Sequence, residues 1–310
     1  MALGNHSTIT EFIFLRLSAD PRVQALLFVL FLVIYLLTLM GNLTMLLVIR
    51  TDSHFHTPMY FFLCHLSFLD LCYFSVTVPT LLENLLCQSK TISVGGCFAQ
   101  VFFVFVTGGT EGCLLSVMAY DRYAAICHSL HYGQIMTNQL CNSLVCGCWG
   151  LSFLDTFINI LQAMSLDFCE DQSIPHYSCG LPSLFPLSCS DVSTSFTDLL
   201  CSSLVHGFGT YLLIIYSYAL IASTILSISS SSGRGKAFYT CSSHLTAILL
   251  FYYSGILCYL MPTSGSPLEL IVSVQYSVVT PLVNTLIYSL RNNEVKAALR
   301  RTFRKYLHYR

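Results

Sequence analysis

The stretch MAYDRYAAIC, residues Met118 to Cys127, ends a long apolar run that begins near Gly95. It places Asp121 and Arg122 where a membrane-spanning helix would leave the lipid. A charge beside hydrocarbon costs about 3 kcal/mol unless it has a partner or a task. Both residues are therefore candidates for function. The alternative is an interfacial pair that only ends a helix, with Arg122 extended toward the lipid head groups.

The composition indicates that most of the chain lies in lipid. Of its 310 residues, 55% are hydrophobic and only 9% are charged, whereas about 25% are charged in typical soluble domains. The net charge of −1 gives no basis for nucleic-acid binding. The chain also has neither a Gly-rich phosphate loop nor Cys and His residues at metal-ligand spacing. We expect an all-α membrane protein that is not an enzyme and has no cofactor.

The apolar segments predict seven transmembrane helices in one domain. A helix needs about 20 apolar residues to cross a hydrocarbon core of roughly 30 Å. We expect a tail over 1–22, a helix bundle over 23–290 and a second tail over 291–310. The predicted spans are 23–49, 58–82, 97–120, 140–161, 197–226, 238–261 and 268–290.

The basic residues predict the orientation in the plasma membrane. Three of the 14 Lys and Arg residues, namely Arg16, Arg22 and Lys90, lie on one side of the predicted spans, and the others lie on the opposite side. Because basic residues accumulate in the cytosol, the C-terminus is expected there and the N-terminus outside. The sequon at Asn5 then lies in an extracellular tail that can be glycosylated.

The C-terminal tail is patterned as an amphipathic helix. Apolar residues recur at a spacing of four opposite a basic face, an arrangement that favours contact with the anionic lipid of the inner leaflet. The apolar positions are Val295, Leu299 and Phe303, and the basic ones are Lys296, Arg300, Arg301 and Arg304.

Four polar side chains fall inside the predicted spans at similar depth. Asp70 and Glu111 are carboxylates, and Asn42 and Asn284 are amides. A carboxylate in the membrane interior needs a partner, a cation, a water cavity or a proton. One interpretation is a hydrated switch region that binds Na⁺ or a proton near Asp70 and Glu111. The other is a hydrogen-bonded network that only fixes helix packing.

The cysteines outside the predicted spans identify an extracellular region that can be cross-linked. Most of the 15 cysteines lie within spans, where Cys behaves as a small apolar residue. Four are expected in oxidising space, and they allow three pairings. These are Cys97, Cys169, Cys179 and Cys189, with Cys87 as a candidate free thiol. The polar, acidic segment 162–195 is long enough to be functional, and we expect it to cover the bundle as a lid.

The sixth predicted span is rich in tyrosine. Tyr252, Tyr253 and Tyr259 lie near Gly255. Phenol rings suit a small cavity for mostly hydrophobic ligands that carry one polar group. An aromatic stripe that packs as helix core is the alternative. His206 in span five has the same two interpretations, as a ligand contact or as a hydrogen-bonded core residue.

Several motifs in order resemble those of one receptor family. They are Gly41-Asn42, HTPMYFFL from His56, SFLDLCYFS from Ser67, MAYDRYAAIC from Met118, Ser217-Tyr218, KAFYTCSSHL from Lys236 and PLVNTLIYSLRN from Pro281. With the short third cytoplasmic loop and the long second extracellular loop, the chain resembles a rhodopsin-like (class A) G-protein-coupled receptor, and within that group an odorant receptor. The resemblance covers nearly all of the chain.

The resemblance implies a mechanism and the residues that carry it. It implies a Cys97–Cys179 bridge, a second bridge between Cys169 and Cys189, and signalling through the stimulatory olfactory G protein to adenylyl cyclase. With helix spacing, it places a small volatile ligand against Val104, Phe105, Gly108, Gly109, Ser203, His206, Tyr252, Gly255, Ile256, Tyr259 and Ser277. The residues expected to couple to the G protein are Asp121, Arg122, Tyr123, Tyr218, Asn284 and Tyr288.

Three positions depart from the pattern of that family. Ser129 and Thr285 each replace a proline, and Tyr239 replaces a serine. Because proline kinks a helix, Thr285 predicts a straighter seventh span near Asn284 unless Pro281 supplies the bend. The family resemblance therefore does not fix how efficiently this chain couples to the G protein.

Two other classes of protein fit part of the pattern. A proton-coupled transporter could use Asp70 and Glu111 as a relay, but the chain has no internal repeat. A non-olfactory class A receptor for another small ligand is closer. A receptor for amines would be expected to carry a carboxylate on the outer half of span three, where this chain has Val104 and Phe105.

Overall fold

The computed structural model describes residues 9–14, 17–87, 91–168, 172–174, 176–228, 230–260 and 266–290. This description leaves out the side chains at 236, 240, 258–260, 267, 269, 270, 285 and 288–290. The glycosylation site predicted at Asn5 and the amphipathic helix predicted over 291–310 also lie outside the described residues.

Seven long helices form the described part of the chain. Five of them, α1 to α5, are long and apolar enough to cross a membrane, and α6 and α7 occupy the two remaining predicted spans. The predicted all-α bundle is confirmed. The bounds are α1 Pro21–Thr51, α2 Pro58–Leu86, α3 Val94–Cys127, α4 Asn138–Met164, α5 Ser193–Ser227, α6 Ser231–Leu260 and α7 267–290.

Local chemistry explains where the first four helices begin. Asp20, Ser93 and Thr137 each accept a hydrogen bond from a backbone amide in the first turn of the following helix. Such caps satisfy amides that have no partner within the helix. Pro21 and Pro58 begin α1 and α2, where the missing N–H has no cost. Side-chain caps at α1, α3 and α4, and Pro58 at α2, therefore mark these helix starts.

A loop aspartate orders the start of α5. The carboxylate of Asp191 accepts hydrogen bonds from the backbone N–H of Ser193, at 2.9 Å, and from its hydroxyl, at 2.8 Å. These bonds favour the charged form and lower the pKa of Asp191. The loop therefore enters the bundle through a defined turn.

Helix α3 lies at the centre of the bundle. It packs against α2, α4, α5 and α6, while α1 packs against α2 and α7. The outer face of α1 is strongly apolar and open, with Leu26 69% exposed and Met40 66% exposed. Such a surface suits lipid as the surrounding solvent, because lipid chains are as apolar as leucine. The interior of the bundle holds the polar residues instead.

Three short strands form a sheet that was not predicted from the sequence. Strand β1 (Glu11–Phe14) pairs antiparallel with β2 (Thr91–Ser93) and parallel with β3 (Ser173–Ile174). Phe12 and Phe14 on β1 are buried, and Glu11 and Ile13 are exposed. This period of two is typical of a half-buried strand. The segment expected as a simple tail is thus partly built into the loop region.

The loop between α4 and α5, which the sequence predicts to be the second extracellular loop, is held against the bundle. A disulfide joins Cys97 on α3 to Cys179 in the loop. The backbone N–H of Cys179 donates to Oε1 of Gln100 at 2.9 Å, and Nε2 of Gln100 donates to the carbonyl of Val76 on α2 at 3.2 Å. The loop is therefore anchored to two helices through adjacent contacts.

The structure describes two of the three other cysteines that were predicted outside the spans. Cys189 is disulfide-bonded, but its expected partner Cys169 lies outside the described residues. Cys87 is a free and exposed thiol at the end of α2. The Cys97–Cys179 bond expected from the family resemblance is present.

Two helices widen locally into π-helical turns. The segments are Ser203–Gly209 in α5 and Gln275–Val279 in α7. In α7 the backbone N–H of Thr280 bonds to the carbonyl of Gln275, five residues earlier. Pro281 follows immediately and has no N–H to continue the regular pattern. We therefore assign the irregularity of α7 to Pro281, and π-turns of this kind occur often at functional sites.

Candidate functional site

The four polar residues predicted inside the spans come together at the centre of the bundle. Nδ2 of Asn284 on α7 donates to Oε1 of Glu111 on α3 at 3.3 Å. Asn42 on α1 forms a side-chain hydrogen bond with Asp70 on α2, and Asp70 interacts electrostatically with Glu111. One network therefore links helices α1, α2, α3 and α7.

A small cavity adjoins this polar network. Its volume is about 10 Å³, which is room for roughly one water molecule. No described residue donates to Oδ1 of Asn284, although this atom is buried. Among the described residues no three His, Cys, Asp or Glu side chains are grouped so as to hold a metal ion. The lining residues are Asn42, Met45, Leu63, Leu66, Ser67, Asp70 and Asn284.

The charged pair near the C-terminal end of α3, the end predicted to face the cytosol, forms an ion pair. Nη2 of Arg122 lies 3.0 Å from Oδ2 of Asp121, and the two side chains are 13% and 1% exposed. The hydroxyl of Tyr132, in the loop that follows α3, donates to Oδ1 of Asp121 at 2.6 Å. Burial, with the hydrogen bond to Asp121, raises the pKa of Tyr132, so this hydroxyl keeps its proton at neutral pH. Asp121 thus has a partner on each carboxylate oxygen.

Two aromatic residues predicted to couple make different contacts near this pair. The hydroxyl of Tyr218 on α5 lies 2.7 Å from Nδ1 of His244 on α6, and His244 is buried. The hydroxyl of Tyr123 lies 3.0 Å from Nε2 of His128. The side chain of Tyr288 is outside the description. His244 was missed from the sequence, although it stands within the KAFYTCSSHL motif.

At the outer end of the bundle, α3, α6 and α7 meet around Tyr276. A β-carbon added at Gly108 would lie 3.5 Å from the Tyr276 hydroxyl, and one at Gly255 would lie 3.9 Å from its ring. The rings of Phe251 and Tyr276 are 6.4 Å apart. The two glycines therefore leave room beside an aromatic cluster. Tyr276 and Phe251 were not predicted, and only their aromatic character within a span could have indicated them.

Hydroxyl groups near this cluster are paired with one another. The hydroxyls of Tyr252 on α6 and Thr210 on α5 are 2.6 Å apart. The hydroxyl of Tyr177, in the second extracellular loop, lies 2.6 Å from Oγ of Ser277 on α7. Both contacts are buried. The loop therefore reaches the bundle directly above α7, and a ligand in this region would meet neutral polar groups.

Other predicted ligand residues are dispersed around this cluster. A β-carbon at Gly109 would meet Oγ of Ser152 on α4 at 3.0 Å, so Gly109 permits helix packing. Ile256 is 52% exposed and is not part of the cluster. Ser203 donates to the carbonyl of its own helix at Leu199. Val104 and Phe105 are half-buried on α3, and the side chain of Tyr259 is outside the description.

His206 lies among polar groups of two neighbouring helices. Its Nδ1 is 3.7 Å from Sγ of Cys113 on α3, and its Nε2 is 3.6 Å from Oδ2 of Asp155 on α4. His206 stands in the π-helical segment of α5. This arrangement agrees with a partnered core residue, and the partners Cys113 and Asp155 were not predicted.

The sequence profile described as olfactory receptor matches residues 31–306. The chain belongs to the olfactory receptor family. Olfactory receptor 8S1 of Homo sapiens is 68% identical over 296 residues, which cover 96% of this chain and 82% of that protein. Olfactory receptor 7A40 of Mus musculus is 46% identical over 98% of this chain and 99% of its own length. Olfactory receptor 5AN1 of Homo sapiens is 47% identical over 96% of each chain.

Membership of this family establishes the broad function. Olfactory receptors are seven-transmembrane G-protein-coupled receptors, so this chain is a multi-pass membrane protein and an odorant receptor. The olfactory receptor family is a receptor family and not an enzyme family. Odorants and G proteins are accordingly its general classes of partner.

Proposed function

We propose that a small, mostly apolar volatile molecule binds in the outer half of the bundle and that the bound receptor activates the olfactory stimulatory G protein, which raises cAMP. The observation that carries this proposal is the contrast between the two ends of α3. Its outer half lies beside the aromatic cluster at Tyr276, and its cytoplasmic end carries the closed Asp121–Arg122 pair.

The chemistry of the outer cluster supports this class of ligand. Phenol and hydroxyl groups offer neutral hydrogen bonds, and Phe251 and Tyr276 offer apolar ring surface. A ligand with an apolar body and one neutral polar group satisfies both. We assign Gly108, Gly255 and Tyr252 the closest ligand contacts among the predicted residues. Tyr276 joins them as a residue that the sequence did not indicate.

Activation is a shift between two arrangements of the helices. A ligand favours the signalling arrangement only in so far as it binds that arrangement more tightly. In our proposal the cytoplasmic ends of α5 and α6 move outward. Arg122 then leaves Asp121 and contacts the G protein, with Tyr218 beside it. The Asp70 and Glu111 region, which binds Na⁺ or a proton, responds to the same movement.

The proposed orientation follows from the basic residues. The N-tail over 1–22 lies outside the cell, and the tail over 291–310 lies on the lipid of the inner leaflet. This orientation directs the loop with Tyr177 toward arriving odorants and Arg122 toward the cytosol. The whole chain then acts as one receptor domain of the plasma membrane.

The proposal is tested with the full chain in cells that express the olfactory stimulatory G protein and a cAMP reporter. We expect at least one member of a panel of volatile molecules to raise cAMP in a dose-dependent manner. A matched cell line without that G protein provides the control and is expected to remain silent. A ligand response that persists in the control line, or substrate flux across the membrane, would contradict the proposal.

A further inference from the structure

A second cleft lies between α4 and α5, apart from the residues proposed for the odorant. Its volume is about 220 Å³. It combines apolar side chains with acidic and polar ones, and acidic side chains are unusual on a surface that faces lipid. The lining residues are Asp155, Ile158, Asn159, Asp198, Cys201, Ser202 and Val205.

One buried atom in this cleft lacks a hydrogen-bond donor. Asn159 is only 3% exposed, and no described residue donates to its Oδ1. Its Nδ2 is fully engaged, because it donates to Oγ of Ser202 at 2.8 Å and to the carbonyl of Asp155 at 3.0 Å. A buried acceptor without a donor destabilises the folded protein, because it has lost its hydrogen bond to water. Asn159 therefore marks a place where a donor is needed.

The other polar groups of the cleft are also acceptors. The hydroxyl of Ser202 donates to Oδ1 of Asp155 at 2.6 Å, so this donor is used within the protein. The second carboxylate oxygen of Asp155, Oδ2, lies 3.6 Å from Nε2 of His206. Asp198 supplies a further carboxylate. Asp155, Asp198 and Asn159 thus line one cavity. The donors of Ser202 and Asn159 are already used within the protein.

Carboxylates at a lipid-facing cleft favour a positively charged partner. An ionised side chain in the membrane is unfavourable unless it is paired. A primary ammonium group carries one positive charge and three N–H donors. It therefore matches Asp155, Asp198 and Oδ1 of Asn159, while the exposed side chains of Ile158 and Val205 accept an alkyl chain.

We propose that this cleft binds a primary ammonium group attached to a short alkyl chain. The same chemistry occurs in a free alkylamine and in the head group of phosphatidylethanolamine. The site is distinct from the proposed odorant site, since none of its lining residues is among those proposed for the odorant. Its failure would leave the proposal for odorant recognition unaffected.

The test uses the full-length receptor in nanodiscs of phosphatidylcholine, with hexylamine as the probe and hexanol as its neutral analogue. We expect hexylamine to bind and hexanol to bind at least about tenfold more weakly, because a charge-assisted hydrogen bond is stronger than a neutral one. Isothermal titration calorimetry measures both. Equal affinity for the two probes would overturn the proposal.

Two variants separate the cleft from the rest of the protein. Asp198→Asn keeps the shape and removes the charge, and we expect it to weaken hexylamine binding about tenfold. Asp167→Asn, at an exposed position after α4 and outside the cleft, is the matched control and should bind as the parent does. Ile158→Trp fills the cleft and retains every carboxylate, so it should also reduce binding.

Folding of each variant is checked by its thermal transition without ligand. Unchanged hexylamine affinity in folded Asp198→Asn and Ile158→Trp receptors would refute the site. Nanodiscs that contain phosphatidylethanolamine distinguish the two sources of the ammonium group. Competition with hexylamine identifies the lipid head group as an occupant, and its absence assigns the cleft to free amines.

Discussion

The outer and cytoplasmic ends of the bundle bury polar groups in different ways. At the outer end the contacts join neutral hydroxyls, as between Tyr177 and Ser277, and the helices α5 and α7 widen into π-turns. At the cytoplasmic end an ion pair is closed by a third residue, Tyr132. Neutral contacts on irregular helices can rearrange around ligands of different shape. A buried ion pair is either formed or broken, as a switch between two discrete arrangements requires.

The largest expected effect comes from removing the cation of the cytoplasmic pair. We predict that Arg122→Ala abolishes the cAMP response to an odorant and leaves most of the receptor at the cell surface, because Tyr132 still donates to Asp121. Surface labelling and a cAMP reporter measure the two quantities. Arg22→Ala, at the start of α1, is the matched control. A normal cAMP response from Arg122→Ala receptors would show that the ion pair at the cytoplasmic end is not the switch.

The next effect concerns the anchor of the loop at the outer end. We predict that Cys97→Ser lowers stability by about 2–5 kcal/mol, because the disulfide closes a long stretch of chain. Thermal unfolding in detergent reports the loss as a lower transition temperature. Cys87→Ser removes an exposed free thiol and should leave the transition unchanged. If both variants unfolded alike, the loop would not depend on this anchor.

Neighbouring glycines on α3 provide a sharper comparison within the outer half. We predict that Gly109→Ala destabilises the receptor by about 1–3 kcal/mol, since its β-carbon would lie 3.0 Å from Oγ of Ser152. Adding Ser152→Gly should restore stability, as measured by thermal unfolding. A destabilised double variant would show that this contact is not the cause.

Gly108→Ala is expected to act on ligand selection instead of stability. Its β-carbon would lie 3.5 Å from the hydroxyl of Tyr276, which is an ordinary contact. One added methyl group in the proposed cavity should shift the potency of an odorant by about tenfold or more. Dose-response curves for cAMP measure the shift. An unchanged curve for several odorants would place the ligand away from Gly108.

The smallest expected effect concerns the hydrogen bond between the loop and α7. We predict that Tyr177→Phe or Ser277→Ala each lowers stability by about 1 kcal/mol, because a buried hydroxyl loses its partner. The double variant should lose less than the sum of the two, since both changes remove one contact. Thermal unfolding of the parent, the two single variants and the double variant completes this double-mutant cycle. Strictly additive losses would show that the two hydroxyls act independently.

Much of the interior could be predicted from the sequence alone. A carboxylate in lipid needs a polar neighbour, so the positions of Asp70, Glu111 and Asn284 within their spans were enough to predict a polar cluster. The structure brings them together with Asn42. The Cys97–Cys179 bond required the family resemblance, because the cysteine positions alone allowed three pairings.

The outer end could not be predicted to the same detail. A π-turn places an extra residue in the helix, which turns the following side chains by about 100° relative to a regular helix. A helical period of 3.6 residues therefore does not predict which side chains share a face across Ser203–Gly209 or across Gln275–Val279. Tyr276 lies within the second segment, and only its aromatic character within a span could have indicated it. Strand β1 was missed because its four residues pair only with segments distant in the chain.

The pairing of β1 with both β2 and β3 has a consequence for how such receptors are handled. Residues 11–14 join the loop between α2 and α3 to the loop between α4 and α5. In the proposed orientation these loops lie where the odorant would enter, so we expect changes at the start of the chain to alter that entrance. Purification handles and fluorescent fusions joined directly to this strand would perturb odour tuning as well as delivery to the cell surface. A spacer ahead of Ile9 should leave the pairing of β1 with β2 and β3 intact.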